Sequence, residues 1–289
     1  MIPGAPAHAD EAPWDVVIRP RSALTGTDFR ELWRYRDIVP LFVRRDFVTA
    51  HIQTLLGPLL YFVQPIVTVA VYTVIFGTIA NIPTEGVPAP LFYLAGLLCW
   101  SYFSDCVTRT SSAFRENVHL FGKIYFPRLL LPLSMVISNL ARFAAQAVLL
   151  VLVMIVYAAR GTEFFLTPWV ALIPVLIAII ALMGLGAGLI ISSLSVRYRD
   201  LSVLLGSALQ LLMYATPVIY PLSAVPPAFA WAVSLNPMAP LVEGMRRALY
   251  GTGSVTVSSL GYSVAVTAVL LVAGLIAFNR VERDFVDTL

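Results

Sequence analysis

Two ionisable side chains, Asp105 and Arg142, sit inside long apolar runs. A charge at that depth in hydrocarbon is costly, so such residues default to functional roles or to pairs that fix helix packing. Both readings are open here, and the order of the runs lets the two groups meet across antiparallel neighbours. Other residues able to do chemistry are sparse. His8, His51 and His119 are far apart, with no partner at metal-ligand spacing, and read as interface or solvated histidines. Cys99 and Cys106 lie seven apart in one apolar stretch and read as small buried hydrophobes, not as a disulfide or a metal pair. The single Gly-Lys pair, Gly122-Lys123, is followed by Ile124 and has Asn117 where the first glycine of a phosphate-binding loop belongs. ATP hydrolysis through such a loop is thereby excluded. Gly184, Gly186 and Gly188 have Leu189 where a dinucleotide fingerprint needs its third glycine; the spacing of Gly184 and Gly188 suits close helix packing instead.

The elements that must position these residues are set by composition. The chain has 289 residues, 59% hydrophobic and 12% charged, with mean hydropathy +0.84. Soluble domains carry about 25% charged residues, so this is a membrane protein with no soluble catalytic domain beside it. A bilayer core of ~30 Å needs roughly 20 apolar residues per helix. Six segments qualify or nearly so: 59–79, 91–111, 129–158, 169–192, 201–221 and 257–279. The third is longer than a span requires and has room to tilt or project. No secretory signal is expected, because the first apolar run starts only near Leu59. The net charge of +3 matters less than its distribution. Fifteen of the 19 basic residues flank one set of span ends, three flank the other, and Arg142 lies between. By the positive-inside rule both termini are cytoplasmic.

Three segments do not read as spans. Residues 28–57 mix charges with Phe29, Leu32, Trp33, Val39, Phe42, Phe47 and Ile52. Asp28 and Glu31 have capping-box spacing and Pro40 would break or restart a helix, which predicts two amphipathic helices along the cytoplasmic interface. Residues 112–127 form a basic cytoplasmic connection, yet Phe114, Val118, Leu120, Phe121, Ile124 and Tyr125 are too apolar for a merely solvated loop, and "FPR" stops any helix where the next span begins. A short helix held between two spans suits a partner socket. Residues 223–253, with "VPP" and "NPMAP", are too interrupted for a span and are expected to dip into the membrane from outside as two short helices. In this segment Glu243 and Arg247 share a helix face, and with Arg246 they could meet an anionic polymer or lipid headgroups. The chain thus divides into a cytoplasmic segment 1–27, interface helices 28–57 and a transmembrane domain 58–289.

Seven motifs occur in a fixed order: "ELWRYRDIVPLFVRRDF" (31–47), "LLGP" (55–58), "GKIYFPRLLLPL" (122–133), "VRYRDLSVLL" (196–205), "TPVIYPLSAVP" (216–226), "LNPMAPLVEGMRRALYG" (235–251) and "VERDFVDTL" (281–289). Together they cover nearly the whole chain. The ordered set resembles the permease subunit of bacterial polysaccharide ATP-binding-cassette exporters, those moving O-antigen and teichoic-acid-type chains. Ala50-His51 stands where many members carry Arg-Tyr. The resemblance implies an all-α membrane protein of six transmembrane helices with N-terminal interface helices, a cytoplasmic coupling helix at 112–127 and re-entrant outer gate helices before the last span. It implies that Phe114, Arg115, Glu116, Val118, Phe121, Lys123 and Tyr125 dock into a separate ATPase subunit, with Arg197 and Asp200 as a smaller contact. Glu243, Arg246 and Arg247 would belong to the outer gate. Two permease copies and two ATPase copies would assemble in the bacterial inner membrane. ATP and Mg would be bound by the ATPase, and no cofactor by this chain. The cargo would be a lipid-linked polysaccharide, the other partner membrane lipid, and nucleic acid none.

A sliding polymer needs a wall that binds nowhere tightly, and aromatic faces meet that need. Tyr61, Tyr72, Trp100, Tyr102, Phe103, Tyr214 and Tyr220 are the candidates, although Tyr and Trp also gather at membrane interfaces. Trp100, Tyr102 and Phe103 cannot all point one way on a helix. Three rival readings are weaker. A cassette permease for drugs or small lipids shares the layout but not the ordered motifs. A membrane glycosyl- or acyltransferase needs converging acidic or histidine groups, and an ion-coupled transporter needs broken helices with polar midplane residues.

Overall fold

The computed structural model describes residues 29–52, 57–117, 126–162, 164, 167–198 and 200–286, and it is helical throughout apart from its connections. Helix α1 (Phe29–Arg34) and α2 (Ile38–Ile52) are separated by a turn at residues 35–37. Pro40 falls in the first turn of α2, where its missing N–H leaves nothing unpaired, so it restarts the helix rather than breaking it. α3 (Gly57–Tyr72) contains Pro65 and continues as a π-helical stretch, Thr73–Ile79. The connection that follows turns on left-handed residues, Asn81, Glu85 and Gly86. α4 (Ala89–Glu116) begins after Pro88 with a second proline in its first turn, and Asn117 caps its end by donating from Nδ2 to the Ala113 carbonyl at 3.1 Å. α5 (Leu130–Ala159) follows. A short 3-10 turn, Pro168–Leu172, leads into α6 (Ile173–Arg197), and then comes α7 (Leu201–Tyr214). After a 3-10 turn at Leu222–Ala224 stand two short helices, α8 (Pro227–Ser234) and α9 (Ala239–Tyr250), and finally α10 (Val257–Val286).

Five helices among the described residues are long and apolar enough to cross a membrane: Tyr61–Ile79, Ala89–Ala113, Leu130–Ala159, Pro168–Val196 and Val257–Val281. These match five of the six expected spans. The remaining expected span, 201–221, is helical only over its first part. Its helix ends at Tyr214 after 14 residues, about 21 Å at the α-helical rise. Pro217 and Pro221 are the reason, since the residue before a proline is driven out of the helical region and the proline itself has no N–H to continue the ladder. Residues 215–220 are turns and bends.

α4 organises the bundle. It is the least apolar of the five long helices and the most buried. Lipid-facing helices must be apolar all round, whereas a helix shielded by its neighbours can carry Ser, Thr, Asp and Arg. α6 packs closely on it because Gly184 and Gly188 present no side chain. A Cβ at Gly184 would lie 2.6 Å from the Cβ of Cys106, and one at Gly188 would lie 2.5 Å from the Cβ of Thr110. On the other face of α6, Gly186 meets α10, where a Cβ would stand 2.7 Å from the backbone at Leu270 and Leu271. A second, smaller core forms at the Arg-rich end, where Phe126, Leu130, Leu131 and Met135 pack with Leu32, Tyr35, Ile38, Val39 and Phe42. The extra length of α5 is used there, beyond the run that a span needs.

Candidate functional site

The polar groups inside the bundle form a connected set at the Arg-rich end. Asp46 of α2, whose side chain is 7% exposed, accepts from Arg109 Nη2 of α4 at 2.9 Å, from Arg45 Nη2 at 2.9 Å and from Ser138 of α5 at 3.4 Å. Arg109 donates onward from Nη1 to Asn139 Oδ1 at 3.3 Å, and Arg45 reaches Asn117 Oδ1 at 3.5 Å. Arg45 also lies 5.0 Å above the ring of Phe42, which packs on Phe126 at 5.5 Å. α2 therefore grips both chain ends that flank segment 118–125. Asp46 was not among the residues singled out from the sequence, and in a run "RRDF" it offers no signal beyond its charge.

One turn further along α4, Arg142 Nη1 lies 3.1 Å from both carboxylate oxygens of Asp105, and its Nη2 donates to Gln64 Oε1 of α3 at 2.9 Å. The pair open to sequence reading is thus made, and it joins three helices rather than two. Tyr61 stands under the same guanidinium, 5.9 Å from its ring centroid. Deeper still, Ser101 donates to Gln146 at 2.7 Å.

At the opposite end, residues 223–253 do contain two short helices, and they differ in kind. α8 exposes Phe229 and Trp231, while nearly all of α9 is buried. Glu243 and Arg246 have no solvent exposure, so the expectation that both meet a polymer or headgroups needs correction. Their pairing is Arg246 Nη1 to Glu243 Oε1 at 3.0 Å, one turn apart, while Arg247 turns away and stacks 4.7 Å from Trp169. The second carboxylate oxygen of Glu243 accepts the Ser254 N–H at 3.1 Å, which the left-handed Gly253 permits. Burial raises the Glu243 carboxyl above its ordinary pKa, while the Arg246 guanidinium and the Ser254 N–H draw it back. Removing one partner of a buried pair typically costs about 3–5 kcal/mol, because the other charge is left uncompensated.

Apart from Tyr61, which lies by Arg142, the aromatic candidates separate into two groups. Trp100, Tyr102 and Phe103 are 5%, 2% and 5% exposed, so within the protomer they are packing groups, which corrects the expectation that they line a channel. α4 is enclosed on several faces, and these three side chains lie on the enclosed ones. Tyr72, Tyr214 and Tyr220 do come together. The Tyr72 hydroxyl lies 3.9 Å from the Met213 sulfur, Tyr220 donates to the Tyr214 carbonyl at 3.2 Å, and Tyr72 meets Tyr93 edge-on at 6.1 Å. Tyr93 was not singled out in the sequence.

Of the residues expected to dock a partner, Val118, Phe121, Lys123 and Tyr125 lie outside the described residues, as do the side chains of Phe114 and Arg197. Arg115 and Glu116 are exposed at the end of α4, and Arg115 donates to Ser202 of α7 at 2.8 Å, two residues beyond the exposed Asp200. Cys99 and Cys106 are buried and unbonded to each other. No group of three or more potential metal ligands occurs among the described residues.

A multi-span helical bundle whose polar groups, among the described residues, serve to join its helices has the build of a membrane permease. The chain belongs to the ABC-2 type transporter family, whose sequence profile matches residues 40–250. It is similar to the O-antigen export system permease protein RfbA of Myxococcus xanthus, with 31% identity over 90% of this chain and 98% of the relative. An RfbA permease of Klebsiella pneumoniae is 25% identical over 88% of this chain and 95% of its own length. The polysialic acid transport protein KpsM of Escherichia coli is 27% identical over 79% of this chain and 87% of its own.

Proposed function

We propose that this chain is the channel-forming permease of an exporter that moves a lipid-linked polysaccharide, of the O-antigen, capsule or teichoic-acid kind, across the bacterial inner membrane. Two copies form the channel. Two copies of a separate ATPase subunit bind ATP with Mg and drive it. The observation that carries this reading is the end-to-end similarity to permeases named for O-antigen and polysialic acid transport.

Several features support the working parts. The fifteen-to-three charge asymmetry supports cytoplasmic termini, with α7 and residues 215–221 together serving as the sixth span. Segment 112–127 is the ATPase socket. Its flanks are held by α2 through Arg45 and by the Phe42–Phe126 contact, so a push on the segment is passed to the helix bundle rather than absorbed by a loose loop. The tyrosines at positions 72, 214 and 220 offer ring faces and hydroxyl tips to a passing sugar chain, which slides because no single contact is strong. The side chains of Leu41, Phe47 and Val48 are exposed on α2 and seat it at the headgroup boundary.

The test is copurification. The chain, tagged at its C-terminus and extracted from native membranes in mild detergent, is expected to bring down an ATPase with a phosphate-binding loop in one-to-one ratio. Deleting its gene is expected to leave lipid-linked polymer on the cytoplasmic side. Recovery without any ATPase, even after gentle cross-linking, would sink the reading.

A further inference from the structure

Three elements meet at one guanidinium. Arg246 of α9 is fully buried and donates from Nη1 to Glu243 at 3.0 Å and from Nη2 to the Val218 carbonyl at 2.8 Å. Its guanidinium carbon lies 3.6 Å from the ring centroid of Phe92 in α4. This approach depends on Gly96 of α4. A Cβ there would stand 2.7 Å from the Val218 oxygen and 3.0 Å from Arg246 Nη2. The same elements are tied twice more. The Tyr250 hydroxyl donates to the Leu91 carbonyl at 2.9 Å, and Asn236 Nδ2 donates to the Ala215 carbonyl at 3.2 Å and to the Thr216 hydroxyl at 2.8 Å.

The tie explains how irregular backbone persists after α7, since unwound residues at membrane depth need protein partners for their polar groups. It has a mechanical consequence as well. A gate of α9 and residues 215–221 that swung away from α4 would carry Glu243 and Val218 with it, but in every cycle it would have to strip Arg246 from the Phe92 ring and the Tyr250 hydroxyl from the Leu91 carbonyl. Phe92 and Leu91 are buried, so no water stands ready to replace them. α4 itself runs on from Gly96 to Asn117, roughly 32 Å at the helical rise. There it reaches the contacts made by Arg45 and Arg115.

We propose that Arg246 is a positioning residue that locks α9 and residues 215–221 onto α4, so that the outer gate moves as one body with α4 and not as a hinged flap. A displacement of α4 driven at the ATPase end is then delivered directly to the outer end. The proposal rests on the exporter reading above.

The test uses the complex of this chain with its ATPase in lipid nanodiscs, with Ser223→Cys carrying a spin label in each copy. Cys99 and Cys106 are buried with 0% exposure and do not compete for the label. The separation between the two labels is expected to shift on addition of ATP and Mg. In Gly96→Ala, which pries the Val218 carbonyl from Arg246, and in Arg246→Lys, whose single ammonium cannot span both partners, ATP hydrolysis should continue while the shift is lost. Both variants assembled and still shifting would overturn the proposal alone. An unsubstituted complex whose labels ignore nucleotide would overturn the proposal together with the exporter reading. If neither variant assembles, hydrogen exchange on the unsubstituted complex decides. Amides of 239–250 and 91–103 should change together on ATP addition, and a change confined to 239–250 would establish a hinge instead.

Discussion

Asp105 and Arg142 hold each other partly exposed, with 26% and 31% of their side chains accessible, and Gln64 takes the second Nη of the guanidinium while its buried Nε makes no hydrogen bond. A pair in that setting is worth more than a surface ion pair and less than a fully buried one. Each charge alone is nevertheless an unpaired ion at a helix junction. Asp105→Arg or Arg142→Asp should therefore lower thermal stability in detergent by about 1–3 kcal/mol, with transport reduced. The double exchange should recover most of both losses if pairing is the role. Stability recovered without transport would assign the pair to substrate contact, and recovery of neither would show that Gln64 and Tyr61 demand the native orientation. Asp46 belongs to the same scale. It collects two arginines and a serine, and no periodicity in "RRDF" marks it, because contacts between α2 and α4 are set by how the chain folds back.

Among the elements, α6 shows how local composition and packing agree. Its glycines serve both faces, Gly184 and Gly188 towards α4 and Gly186 towards α10. Lipid tails are as apolar as leucine, so close backbone approach, not hydrophobicity, drives helices together in a membrane. Gly186→Val should separate α6 from α10 and destabilise the protein by about 1–3 kcal/mol through overpacking. Gly206→Val in α7, where a Cβ would meet nothing within 4 Å, is the control and should leave melting unchanged. α7 shows the opposite case. Its apolar run continues to Pro221, yet the helix stops at Tyr214, because "TPVIYP" places two prolines where the ladder would need N–H donors. The proline signal was present in the sequence. What could not be read there was that Asn236 and Arg246 would satisfy the unwound carbonyls.

For the whole molecule, the proposed orientation rests on the charge asymmetry and can be checked directly. A unique cysteine in the 84–86 turn should react with an impermeant thiol reagent added from outside intact cells, and one at Asp37, whose side chain is 89% exposed, should react only after permeabilisation. The buried native cysteines leave a low background. The reverse pattern would invert the topology and put the proposed ATPase socket and outer gate on the wrong sides.

The sequence by itself determined the class of protein, five of the six spans it led us to expect, a break or restart at Pro40, the Gly184–Gly188 seam of α6 and the two short helices before the last span. These follow from length, hydropathy and proline or glycine chemistry, all of which act within a few residues. Only the tertiary structure decided that Trp100, Tyr102 and Phe103 lie in the core, that Glu243 pairs with Arg246 rather than facing solvent, and that α2 is fastened to α4 through Asp46. In a soluble helix the polar face marks the outside. In a bilayer the surroundings and the protein interior are both apolar, so the pattern along a span does not say which side is covered. Which faces meet is settled by the packing of helices far apart in the chain, around an α4 that carries its polar groups where its neighbours shield them.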